Sequence, residues 1–227
     1  MGVVTFLLEK EEMVMASNYV ITIARGFGSG GKEIASQVAK DLGIHCYENR
    51  ILTLAAEYSG LDRARFVEAD ERLKGNRLIT SLRELPRTIS PKPEDHGFKS
   101  DTQLYHYEAE IIRQLADTES CVIVGKCADF VLKDRPHVYS FYIEAPRAYC
   151  LPRIMKKMNI SEAEAHRLIS KTDKYRADYY KYYTGGNYWT NPVNYDLTLN
   201  SDRVGQQNCI EIIKQYVKMR ESQYEDV

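Results

Sequence analysis

The 227-residue chain carries no excess of either charge sign: 31 Lys and Arg stand against 32 Asp and Glu, a formal charge of −1. That balance excludes a surface built broadly for nucleic acid or for an anionic membrane. Long hydrophobic runs are also missing, and no stretch approaches the roughly 20 apolar residues of a membrane span. The run Val3-Val4-Thr5-Phe6-Leu7-Leu8 is short, has no basic segment before it, and enters Glu9-Lys10-Glu11-Glu12 at once. It is expected not to be a secretion signal, and residues 1–18 read as an extension ahead of the domain. The five cysteines (46, 121, 127, 150 and 209) are odd in number, and no C-x-x-C occurs. A disulfide framework is therefore not expected; reduced, mostly buried thiols in a cytoplasmic protein are. No internal repeat is visible, and a homo-oligomer is left open.

What is present centres on Ile21-Thr22-Ile23-Ala24-Arg25, a β-branched run, followed by Gly26-Phe27-Gly28-Ser29-Gly30-Gly31-Lys32. The spacing fits G-x-x-x-x-G-K, a phosphate-binding loop after a strand and before a helix. Glycines let successive N–H groups curl around an anion, and the new helix points its positive end at the same place. Lys32 adds a mobile charge able to reach β- and γ-phosphates. The motif usually closes with Ser or Thr, whose hydroxyl binds magnesium; here Glu33 follows. Without a ligand, the same glycines serve as a tight strand-to-helix connection. Ile34, Val38 and Leu42 then fall at i, i+4 and i+8 beside Ala35 and Ala39, one apolar stripe ending at Gly43.

Further along, Ile44–Tyr47, Cys121–Gly125, Val138–Glu144 and Tyr195–Asn200 read as strands. Helical patterns fill 102–118, the stretch opened by Pro146, the segment begun by the capping box Ser161-x-x-Glu164, and Val204–Val217. Alternating strands and helices predict a mostly parallel, doubly wound α/β sheet. Between Asn49 and Ser100 lies a helical, charge-dense region. It ends in a loop over 86–101 carrying Pro86, Pro91, Pro93 and Gly97.

Ligands of open parallel sheets sit at the carboxyl ends of the strands, which picks out the residues just after each one. Lys126 and Asp129 follow the third strand. Asp129 there either holds magnesium or orients an attacking hydroxyl, or merely caps a helix. In Lys171-Thr172-Asp173-Lys174-Tyr175-Arg176, Asp173 and Arg176 stand three apart and can pair on a helix. They read as a lid cation with its orienting carboxylate, or as an ordinary surface pair. The aromatics from Tyr175 to Tyr195 either stack a base or pack a lid helix onto the domain.

The runs ITIARGFGSGGKEIA, CVIVGKCADFVL, KTDKYRADYYKYYTG and NYDLTLNS together resemble the cytidylate kinase-like proteins of the nucleoside monophosphate kinase group. That resemblance implies a P-loop NTPase fold with a five-stranded parallel sheet flanked by helices, spanning 19–220. A helical acceptor-binding region would cover about 48–101 and a lid about 159–190. By likeness, Gly26, Phe27, Gly28, Ser29, Gly30, Gly31, Lys32 and Glu33 would hold the phosphates of ATP, with Mg2+. Glu48, Arg50, Lys126 and Asp129 would face the acceptor. Lys171, Asp173 and Arg176 would belong to the lid. Lys32, Asp129 and Arg176 would carry catalysis, and Asp129 would be the metal ligand. The acceptor would be a nucleoside monophosphate such as CMP. Lys126 replaces the family's arginine, and Glu33-Ile34 replaces Gly-Thr. These departures keep open a nucleotide-binding regulatory or sensor protein, and a kinase for another small metabolite.

Overall fold

The computed structural model describes residues 18–48, 51 and 102–225; the expected N-terminal extension, Arg50 and most of the expected acceptor region, with its 86–101 loop, lie outside them. Five strands build one sheet: β1 (Val20–Arg25), β2 (His45–Tyr47), β3 (Cys121–Val124), β4 (Val138–Glu144) and β5 (Leu197–Asn200), in the order β2-β3-β1-β4-β5. All four pairings are parallel. In the register Ile21 lies beside Val122 on one side and Tyr139 on the other.

Parallel strands covered on both faces must be apolar on both, and these are. Ile21, Ile23, Val122, Val124, Phe141 and Ile143 enter one core with Ile34, Val38, Ile213 and Val217. Those last four belong to helices α1 (Gly31–Leu42) and α7 (Gln206–Glu225). Val20, Cys121 and Ile123 face the other way, against Ile111, Ile112 and Leu115 of α2 (Thr102–Thr118) and Ala128 of the one-turn α3 (Ala128–Val131). Gly43 ends α1 in the left-handed conformation, φ 68°.

After β4 the chain forms α4 (Arg147–Met158), with Pro146 at its N-cap, and the 22-residue α5 (Glu162–Tyr183). The capping box is formed: Glu164 N–H donates to Ser161 Oγ (3.3 Å), and Ser161 N–H donates to Glu164 Oε2 (2.9 Å). Two of the differences from the sequence reading have a clear local cause. The last strand begins at Leu197, because Tyr195 instead buries its ring and donates its hydroxyl to the Trp189 carbonyl (2.7 Å). The last helix is interrupted: Gly205, at φ 82°, separates the short α6 (Ser201–Val204) from α7.

Candidate active site

The carboxyl ends of β1 and β3, the glycine loop, α4 and α5 enclose a cavity of about 800 Å3. Gly26 through Gly31 bridge β1 to α1 as the motif requires. Gly30, at φ 87°, takes the left-handed backbone that glycine favours, and an added Cβ would meet the Gln206 side-chain amide and lie 3.2 Å from Arg153 Nη2. The loop is braced from within and from behind. Ser29 Oγ donates to the Gly26 carbonyl (2.9 Å) and accepts from Gly31 N–H (3.3 Å), while buried Ser201 donates to the Ser29 carbonyl (2.5 Å). Arg153 of α4 donates to the Gly28 carbonyl (3.2 Å).

Lys32 extends from the second residue of α1 into an ion pair with Glu48, which follows β2; Arg25, the last residue of β1, reaches the same carboxylate at 3.4 Å. Glu33 turns the other way and accepts from Lys157 of α4 at 2.6 Å. Burial works to raise the Glu33 carboxyl, but the Lys157 hydrogen bond and the charges of Lys157 and Arg153 outweigh it and hold it below its ordinary value.

Helix α5 closes over the loop. Asp173 Oδ1 accepts the Phe27 amide N–H (2.8 Å); Arg176 donates to the Arg25 carbonyl (2.9 Å), pairs with Asp173 (3.4 Å), and lies 5.5 Å above the Phe27 ring. Burial raises the Asp173 carboxyl, against the opposing pull of Arg176 and the Phe27 N–H.

One turn further, α5 meets two buried carboxylates. Tyr179 donates to Glu108 of α2 (2.9 Å) and Tyr180 to Asp129 (2.7 Å). Glu108 also pairs with Lys126 at 3.4 Å. Lys126 is presented by an unusual backbone: Gly125, Lys126 and Cys127 are consecutively left-handed, at φ 76°, 61° and 53°. For side chains beyond glycine that conformation costs about 1–2 kcal/mol per residue. A Cβ at Gly125 would also meet the Arg25 guanidinium and push it aside. Asp129 is pushed up to about 6 by burial, which the Tyr180 hydroxyl and nearby backbone N–H groups only partly offset.

The sequence profile of the cytidylate kinase-like family matches residues 20–203. The chain belongs to the cytidylate kinase-like family. Among solved structures it is similar to an uncharacterized protein from Eubacterium ventriosum, at 24% identity and a TM-score of 0.65, covering 89% of this chain and all of that one. A shikimate kinase from Acinetobacter baumannii is similar at 12% identity and a TM-score of 0.49, covering 89% of this chain and 94% of that one. No curated protein matches significantly.

In this cytidylate kinase-like chain, Gly26, Phe27, Gly28, Gly30, Gly31, Lys32, Glu33, Glu48, Lys126, Asp129 and Arg176 line one cavity. Ser29 is buried beneath the loop. Asp173 meets the loop from α5, whereas Lys171 is exposed on the same helix and lies outside the cavity wall. The aromatic stretch both packs and lines the cavity: Tyr105 of α2 stacks on Tyr183 at 3.9 Å and Tyr142 on Tyr195 at 5.3 Å, while Tyr175, Tyr179, Tyr180 and Trp189, with Tyr105, reach the cavity. Sequence reasoning missed Arg25, Glu108 and Arg153. Arg25 carried a usable signal, its place at the strand-to-loop junction; Glu108 and Arg153 sit in helical periodicity that gave none.

Proposed function

We propose that this protein transfers the γ-phosphate of ATP, with magnesium, to a small acceptor. The observation that supports this most is the shared cavity. Lys32 and the loop sit at one end, the buried carboxylates Glu108 and Asp129 at the other, and Arg176 of α5 between them and the loop. The loop fits a polyphosphate, because its glycines remove the side chains that would fill the cradle. Magnesium on nucleotide phosphates takes only one or two protein carboxylates and keeps several waters. Among the described residues no group of three His, Cys, Asp or Glu could hold a metal by itself. Asp129 is the carboxylate we assign to it, directly or through water, and the ion would neutralise charge on the transferring group.

Catalysis on this reading is positioning and charge neutralisation, with no covalent intermediate. Lys32 and the loop amides bind the donor, Arg176 offsets charge developing in flight, and α5 excludes water. Lys126 and Asp129 orient the acceptor. The resemblance points first to a nucleoside monophosphate such as CMP. The free cysteines among the described residues support a reducing, cytoplasmic setting.

One observation favours the sensor reading. Glu33, where a magnesium-binding hydroxyl is usual, is tied to Lys157. The test is ADP release from ATP and magnesium across nucleoside monophosphates and small alcohols, with Lys32→Ala as control. Lys32-dependent release with one acceptor supports the kinase; tight ATP binding that no acceptor converts to ADP release supports the sensor.

A further inference from the structure

We propose that Glu48 is the base that accepts the proton of a neutral hydroxyl acceptor, so that the molecule phosphorylated here presents an alcohol rather than a phosphate. This rests on the phosphotransferase reading and replaces its nucleoside monophosphate acceptor with an alcohol.

Glu48 stands at the carboxyl end of β2, half-buried, with its two oxygens divided between Lys32 and Arg25. A donor phosphate draws the loop lysine to itself. That leaves the Glu48 carboxylate beside the transferring group, held in place by Arg25. Arg25 is itself fixed: its carbonyl accepts from Arg176, and its guanidinium packs where Gly125 has no side chain.

A carboxylate at that point has a defined effect on each acceptor class. A phosphate acceptor near neutral pH is already ionised, offers no proton to remove, and is repelled by Glu48. A hydroxyl is neutral, donates a hydrogen bond to the carboxylate, and needs its proton taken as it attacks. The neighbouring charges point the same way. Lys32, Arg25, Lys126 and Arg176 each already have a carboxylate partner, in Glu48, Glu48, Glu108 and Asp173. Around Glu48 and Lys126 the wall thus presents paired cations and acceptor oxygens, a surface suited to hydroxyl groups, while Arg153 and Lys156 line the cavity from α4. Tyr105 and Tyr179 add flat apolar surface for the ring of a nucleoside or sugar.

The step balances. As the hydroxyl oxygen forms its bond to the γ-phosphorus, its proton passes to Glu48 Oε. The bond from that phosphorus to the bridging oxygen breaks, and the nucleoside diphosphate leaves with the electron pair. Glu48 then returns the proton to water.

The experiment follows 31P NMR and ADP release with ATP and magnesium, offering nucleosides, sugars and polyols in one arm and nucleoside monophosphates in the other. Wild type, Glu48→Gln, Glu48→Asp and Lys32→Ala are compared, and ATP affinity is read separately by calorimetry. The expected result is a phosphate monoester formed on a hydroxyl. Glu48→Gln should lower kcat by about 10²–10⁴-fold and leave the ATP Kd within about threefold, while Glu48→Asp recovers part of the rate. Lys32-dependent turnover whose product is a nucleoside diphosphate formed from a monophosphate overturns the proposal and keeps the kinase. So does a Glu48→Gln rate equal to wild type, or a defect repaired by added magnesium, which would make Glu48 a metal ligand. Absence of Lys32-dependent turnover in both arms overturns the phosphotransferase reading itself, and this proposal with it.

Discussion

Asp173 accepts the amide N–H of Phe27 at 2.8 Å across 146 residues of chain. The bond fastens the long helix α5 to the second residue of the glycine loop, and Arg176 seals the same junction on the Arg25 carbonyl.

Removing Arg176 should therefore affect turnover more than binding. Arg176→Ala is expected to lower kcat by about 10²-fold or more, because a cation acting on developing charge is felt mainly in the transition state. The ATP Kd should change by less than about fivefold. Steady-state kinetics beside calorimetry measures both, and a pure loss of ATP affinity would remove Arg176 from the transferring group.

Asp129 gives a prediction in stability. Its carboxyl titrates near 3.8 when unfolded and about 6 when folded, so the folded state holds the proton more tightly. The stability that protonation contributes is complete below about pH 4 and lost as the pH rises through about 6. Asp129→Asn keeps an acceptor for Tyr180 without the buried charge. It should raise stability at pH 7.5 by an amount on the order of 1–3 kcal/mol, with the gain fading toward pH 4. Urea denaturation across that range decides it; a variant less stable than wild type at pH 7.5 would refute the assignment.

Behind the loop, Ser201 predicts a coupled loss. Ser201→Ala leaves the Ser29 carbonyl without its buried donor and should cost about 1–3 kcal/mol, with weaker ATP binding in parallel. A destabilised protein that binds ATP as tightly as wild type would show that this brace does not shape the loop.

Gly125 tests the left-handed turn. Gly125→Ala meets both the positive φ and the Arg25 guanidinium, and should lose about 1–2 kcal/mol while displacing Arg25 from Glu48. Thermal melting reads the first effect. The second appears as altered turnover at unchanged ATP affinity, and wild-type values for both would dismiss the constraint.

Features written in neighbouring residues were legible in the sequence. Gly26 to Lys32 announced the loop because turn, anion cradle and lysine are contiguous, and Ser161 with Glu164 announced the start of α5. Asp173 and Arg176 were readable as a pair three apart on one helix. What the sequence concealed depends on strand order. Arg25 and Glu48 meet because β1 and β2 flank β3, and Lys126 meets Glu108 because α2 covers that same edge. Lys171 shows the converse: it stands on the same helix as Asp173 and Arg176, but its side chain is exposed and does not line the cavity.

Helix α5 touches both ends of the cavity with one rigid rod. Asp173 and Arg176 rest on the glycine loop, and Tyr179 and Tyr180 on Glu108 and Asp129. From Asp173 to Tyr180 is seven residues, roughly 10 Å of helix. A movement of that helix would alter its contacts along the whole cavity. The two ends of the cavity thus share one wall, and a ligand that shifted α5 at one end would reshape the other.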